Sequence, residues 1–134
     1  MEIIDLIPQR EPMVMVDKFV GITNGISTTQ LMVKGNNIFV ENNCLTEFGL
    51  IEHIAQSAAA RVGYICRSEN KPISIGYIGA VSNLEINYLP KINELLETKI
   101  EIVQEVFNIT LIKAQSFTNG ILAACCQMKI FLNT

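Results

Sequence analysis

EFGLIEHIAQSAAARVGY, residues 47–64, is the one long helical stretch in this chain of 134 residues. Ile51, Ile54, Ala55, Ala58, Ala59 and Val62 recur at steps of three and four, the period of one helical face. The three alanines Ala58 to Ala60 let another element come close, as a sheet wrapped around the helix would. At about 100° per residue, Glu52 falls on the shoulder of the apolar stripe, with Gln56 one turn further along the same side. His53 and Ser57 fall on the far arc, which makes His53 a surface or interface histidine. Thr46 is placed to cap the helix. Gly49, a poor helix residue in the first turns, points to a close backbone approach there. The polar run Arg67-Ser68-Glu69-Asn70-Lys71-Pro72 should stop the helix before Arg67.

On the N-terminal side, Ile3 to Ile7 suits one short helical turn closed by Pro8. Met13-Val14-Met15-Val16 reads as a buried strand running on to about Ile22. Asp17 within it is expected at a strand end or paired with Arg10 or Lys18 rather than catalytic. Asn24-Gly25 is a tight-turn signal that folds Ile26 to Lys34 back as an antiparallel strand. Gly35-Asn36-Asn37 breaks that strand, and Ile38 to Thr46 reads as loop.

On the C-terminal side the chain is all β. Ile73 to Tyr88 forms a long strand ended by Pro90, with Gly76 and Gly79 marking a bulge or a place where a ligand comes near. Leu95 to Phe107 alternates, with Val103 out of phase. Ile109 to Phe117 follows, and Asn119-Gly120 turns the chain into Ile121 to Leu132. Six strands and one helix in a single domain, residues 1–134, make an α+β protein. An antiparallel sheet has one face to cover, and the alanine-rich helix suits it. That is the hotdog arrangement; a cystatin-like roll is the alternative on pattern alone.

Hydrophobic residues form 49% of the chain and charged ones 17%, and mean hydropathy is +0.33. No apolar run reaches the ~18 residues of a membrane span, so the surplus is expected to cover a subunit interface or a ligand tunnel. A net charge of −3, with neither Trp nor a basic cluster, argues against nucleic-acid binding. The N-terminus lacks the pattern of a secretory signal. Cys44, Cys66, Cys125 and Cys126 form no C-x-x-C pair and meet a single histidine, so reduced cysteines in a cytoplasmic protein are expected rather than a zinc site. The adjacent Cys125 and Cys126 should point to opposite faces of a strand.

Two stretches resemble a known family. Leu6-Ile7-Pro8-Gln9-Arg10-Glu11-Pro12-Met13-Val14-Met15-Val16-Asp17 is similar to the L-L-P-H-R-x-P-x-L-L-V-D opening of the FabZ/FabA-type β-hydroxyacyl-ACP dehydratases of the hotdog superfamily. Leu50-Ile51-Glu52-His53-Ile54-Ala55-Gln56-Ser57-Ala58 resembles that family's L-x-x-E-A-M-A-Q-A helix. The resemblance implies removal of water from a 3-hydroxyacyl thioester on acyl carrier protein or coenzyme A, with no metal or organic cofactor. It gives the catalytic carboxyl to Glu52 and an orienting role, toward substrate or Glu52, to Gln56. The start of the helix, around Gly49, would supply an N–H for the thioester oxygen. Phe39 matches the phenylalanine of the family's G-H-F-P sequence, and Gly79 is the position where a ligand would come near. The histidine of that sequence, the family's base, is replaced by Ile38, fourteen residues before Glu52. Family members are dimers whose sites combine the histidine of one subunit with the glutamate of the other. The implied assembly is thus a homodimer or higher oligomer, or a heterodimer with a histidine-bearing relative. A hotdog thioesterase, in which one carboxylate activates water or attacks the thioester, is a second reading. A non-catalytic acyl-ACP-binding subunit is a third.

Overall fold

The computed structural model describes residues 1–133. A short 3₁₀ turn, Ile3–Asp5, precedes β1 (Lys18–Thr23) and β2 (Ile26–Met32). Asn24 and Gly25 both take left-handed φ, 52° and 79°, the backbone of a tight hairpin turn. A small hairpin, β3 (Val40–Glu41) with β4 (Cys44–Leu45), then leads into the helix α1 (Glu47–Ser68). The remainder is β5 (Ile75–Ile86), β6 (Leu95–Val106), β7 (Ile109–Thr118) and β8 (Ile121–Asn133). The six long strands form one antiparallel sheet in the order β1-β2-β6-β7-β8-β5. Asn119 (φ 52°) and Gly120 (φ 74°) close the β7–β8 hairpin.

Alternation decides which face of the sheet meets the helix. In β2 every second residue from Ser27 to Leu31 is buried, and in β7 the same holds from Ile112 to Thr118. The apolar ones among them, Leu31, Ile112 and Ala114, with Leu96, Ile100, Cys126 and Met128, pack against Leu50, Ile54 and Ala58 of α1. A second, smaller cluster joins Leu6, Ile7 and Ala60 to Phe19 and Tyr64 on the opposite flank of the helix. The rings of Phe19 and Tyr64 stack at 4.7 Å. A helix gripped by its sheet on one side and by the N-terminal segment on the other is the hotdog arrangement.

Four local expectations are corrected. The buried run Met13–Val16 is not a strand; β1 begins only at Lys18. Its backbone is paired instead with helix side chains, as described below. The segment after Asn37 holds the β3–β4 hairpin, turned by Asn42 (φ 52°) and Asn43 (φ 64°). The helix continues through Arg67 and Ser68, where Arg67 Nε donates to the Asp5 carbonyl and Ser68 Oγ to that of Tyr64. His53 does not face outward: it is fully buried. The face against the sheet runs through Leu50, His53, Ile54, Ser57, Ala58 and Arg61, rotated from the hydrophobic stripe of the sequence, with which it shares Ile54 and Ala58. Ile51, Ala55, Ala59 and Val62 are only half-buried.

Asp17 lies at a strand end, before β1, and its carboxylate accepts from the Met32 amide at 2.7 Å. All four cysteines are free. On β8, Cys126 is buried in the core and Cys125 is half-exposed; burial pushes the Cys126 thiol up to about 11. No described helix is long and apolar enough to cross a membrane.

Candidate active site

Thr46 sets the start of the helix. Its Oγ1 accepts from the Gly49 amide at 3.3 Å, and both its hydroxyl and its own amide donate to the Phe39 carbonyl, at 2.8 and 2.9 Å. Gly49 is where helix and loop meet: an added Cβ would lie 2.6 Å from Phe39 Cβ and from Leu45 Cδ1. The close approach read at Gly49 is therefore toward Phe39. Ile38, next to it, is half exposed.

One turn on, Glu52 is half-buried. Gln56, wholly buried, donates from Nε2 to Glu52 Oε2 and to the Met13 carbonyl, each at 2.7 Å. Its Oε1 accepts from the Met15 amide at 2.6 Å. Both amide hydrogens and the amide oxygen are thus engaged, which leaves Gln56 no donor to offer a ligand. Its geometry is that of a clamp between the carboxylate and the 13–15 backbone. Glu52 Oε1, by contrast, accepts no hydrogen bond from the described residues, so one oxygen is fixed and the other is open. None of the main cavities formed by a single chain is lined by Glu52.

His53 completes the hold on the N-terminal segment from the other side. Nδ1 lies 2.6 Å from the Met15 carbonyl, which can only accept, so Nδ1 carries the proton. Nε2 then accepts from the Thr98 hydroxyl at 2.8 Å, and Thr98 accepts in turn from Ser116 at 2.7 Å. Thr29 donates to Ser57, and Ser57 to the His53 carbonyl, at 2.7 Å each. Burial lowers the His53 pKa to about 4, against the Met15 carbonyl and the Asp17 charge, which favour the protonated ring. Enclosed, hydrogen-bonded through both nitrogens and weakly basic, His53 is not placed to take a proton from a ligand. The signal for this seat was present in the strands: Ser27, Thr29, Thr98, Ser116 and Thr118 are polar residues at inward positions. They form a hydroxyl layer where an apolar one is ordinary.

Gly79 stands elsewhere. It sits at the β5 bulge between Ile78 and Ala80, and the ring of Phe131 covers the place of its missing side chain. The bulge is as read from the sequence, but the close neighbour is Phe131. The structure thus joins Phe39 to Gly49 and Glu52 to Gln56, and puts Gly79 on β5, an element that neither pair uses. Arg61 does not pair with Glu52; it is 8% exposed and reaches the Ile100 carbonyl at 3.0 Å.

Solved structures share the architecture. The dehydratase heterocomplex ApeI:P from Xenorhabdus doucetiae superposes with a TM-score of 0.91 over 100% of this chain and 92% of that one, at 12% identity. A hypothetical thioesterase with coenzyme A from Streptococcus pneumoniae gives 0.70 over 87% and 84%, at 13% identity. The E. coli PaaI protein of the phenylacetic acid degradation operon gives 0.66 over 85% and 81%, at 9% identity. At such identities the likeness is one of fold. Comparison with curated protein sequences finds no match. Residues 1–129 match the sequence profile of the ApeP-like dehydratases, a stretch that takes in the clamp, the helix and the whole sheet except the last residues of β8. The chain belongs to the ApeP-like dehydratase family.

Proposed function

We propose that this chain is a FabZ-like dehydratase subunit that acts on 3-hydroxyacyl thioesters and needs a partner chain to be competent. The observation that carries the reading is Glu52, held through one oxygen by a fully buried Gln56 and open at the other. Eliminating water breaks the α-C–H and β-C–O bonds and forms the double bond between those carbons. A base must take the α-proton, and an acid must give a proton to the departing hydroxyl. Glu52 is the acid. The N–H groups of the first turn of α1 that cap bonds leave free, at Glu47 and Phe48 beside Gly49, receive the charge that develops on the thioester oxygen. The base comes from outside the chain. Ile38 stands where the resembling family has histidine, and His53 is sealed under the helix.

The free edge of the sheet supports an assembly. Strand β5 pairs only with β8 and is exposed along nearly its whole length, with Ile75, Tyr77, Ile78, Val81 and Leu84 open. An edge so long and apolar is ordinarily covered. The related Xenorhabdus doucetiae assembly is itself a heterocomplex.

Co-expression with a histidine-bearing relative, followed by dehydration of a 3-hydroxyacyl-ACP, is the test. The assembly turns over, this chain alone does not, and Glu52→Gln in this chain lowers the rate by roughly two or more orders of magnitude. Unchanged activity with Glu52→Gln would rule the reading out. A thioesterase is the second reading, favoured by the lone carboxylate with one open oxygen. Release of free thiol from acyl-ACP or acyl-CoA by this chain alone would establish it. Binding of acyl-ACP without turnover in any combination would leave a carrier-binding subunit.

A further inference from the structure

We propose that the cavity between the second half of α1 and strands β6 to β8 binds a free carboxylic acid with an aliphatic body, its carboxylate paired with Arg61. The cavity is about 270 Å³ and its walls are mostly aliphatic, with Ala58, Val62 and Ile65 from the helix, Ile102, Ile112 and Ile130 from the sheet, and Ser74 and Thr110 as neutral polar members. Arg61 is the cation that lines it. Five N–H groups belong to a guanidinium, yet the one hydrogen bond Arg61 makes among the described residues runs from Nη1 to the Ile100 carbonyl. Its Nε is shut off from solvent with no partner among the described residues, whereas Nη2, also without a bond, is not shut off. A buried cation with unmade hydrogen bonds is costly, and a ligand in the cavity would meet those of the Nη groups.

Glu105 is the one acidic residue lining the same cavity. A bulge between Ile102 and Gln104 shifts the phase of β6, so that Glu105 lies opposite Thr110, which also lines the cavity. The two charges do not close into an ion pair. Those formed among the described residues are Lys71–Glu69 and Lys99–Glu97. Burial draws the Arg61 pKa down and the Glu105 charge opposes this only in part. The cation therefore lacks a counter-ion in contact while apolar walls stand ready for a hydrocarbon.

A carboxylate meets the guanidinium fork with two parallel hydrogen bonds, and an alkyl tail replaces solvent against the aliphatic walls. An alcohol or a thioester brings no charge and leaves the fork unmet, so the site reads the free acid in preference to its esters. It is distinct from the Glu52 site: nine residues of helix separate the two, about 13 Å along the axis. The inference stands on Arg61 and the cavity alone, and does not depend on the thioester reading.

Titration calorimetry of the full chain with octanoate and with octan-1-ol tests it. Octanoate should bind one per chain and octanol roughly tenfold more weakly or worse, since a charge-assisted hydrogen bond is at stake. Arg61→Gln should weaken octanoate by a similar factor. Glu105→Gln should tighten it by removing a like charge, and Glu52→Gln should leave it unchanged. Equal binding of acid and alcohol, no octanoate binding, or weaker binding in Glu105→Gln would overturn the proposal. Should Arg61→Gln fail to fold, Arg61→Lys retains the charge without the fork and should still lose affinity. The Glu105 variant, at an exposed position, reads the sign independently.

Discussion

Gln56 shows how much one amide can hold. Replacing it by leucine keeps the volume but strands the buried Met15 amide and releases Glu52. An unsatisfied buried N–H costs about 1–3 kcal/mol, so Gln56→Leu should lower the denaturation midpoint accordingly. His53 gives a pH signature whose sign follows from its depressed pKa. Above pH 6.5 the ring is neutral in both folded and unfolded chains. Between 6.5 and about 4 the unfolded chain takes up a proton that the folded one refuses, so stability falls as pH falls through that window. The full loss is roughly 3 kcal/mol. Urea midpoints across pH 4–7 for the parent, compared with His53→Gln, isolate this contribution; parallel curves would show that the imidazole plays no part. The hold of Gln56 on Glu52 is one of the two roles the sequence offers it, but its grip on the Met13–Met15 backbone and the burial of His53 were not visible from residue type. In the sequence Gln56 serves either substrate or Glu52, and His53 is assigned to the outside.

The hairpin elements were the most legible. Asn24-Gly25 and Asn119-Gly120 demand left-handed backbone at both positions, few residues supply it, and the strands on either side alternate cleanly. Val103 out of phase in the sequence is the β6 bulge in the fold. The segment at Met13–Val16 was misread because four apolar residues in a row look alike in a buried strand and in a buried irregular segment. What separates them is the partner of each backbone group, and here the partners are side chains of a helix that comes much later. The helix face was misjudged for a related reason. Hydrophobicity does not mark burial here, because His53 and Ser57 are buried against hydroxyls. Glu52 at the margin was legible, since a carboxylate beside alanines and isoleucines stands out. Gly63 carries a prediction at this scale: a Cβ there would run into the Leu6 carbonyl. Gly63→Ala should therefore push the N-terminal segment off the helix and destabilise the protein, despite alanine's better helix propensity. A thermal melt reads the sign.

For the molecule as a whole, the exposed β5 edge is the strongest statement about assembly. Two lysines introduced there, Tyr77→Lys with Val81→Lys, lie outside the core and should move the sedimentation profile toward monomer without changing the circular dichroism. The 3-hydroxyacyl turnover of any assembly should fall with it. Retained association would place the contact on another surface. The double grip on the N-terminal segment has a consequence for deuterium uptake. The Met15 amide belongs to no ladder and to no helical turn, yet it bonds to a side chain wholly shut off from water. It should label as slowly as the central strands, surrendering its proton only when the chain opens globally. A slow-labelling amide in a segment without regular structure would be the mark of a tether built from side chains.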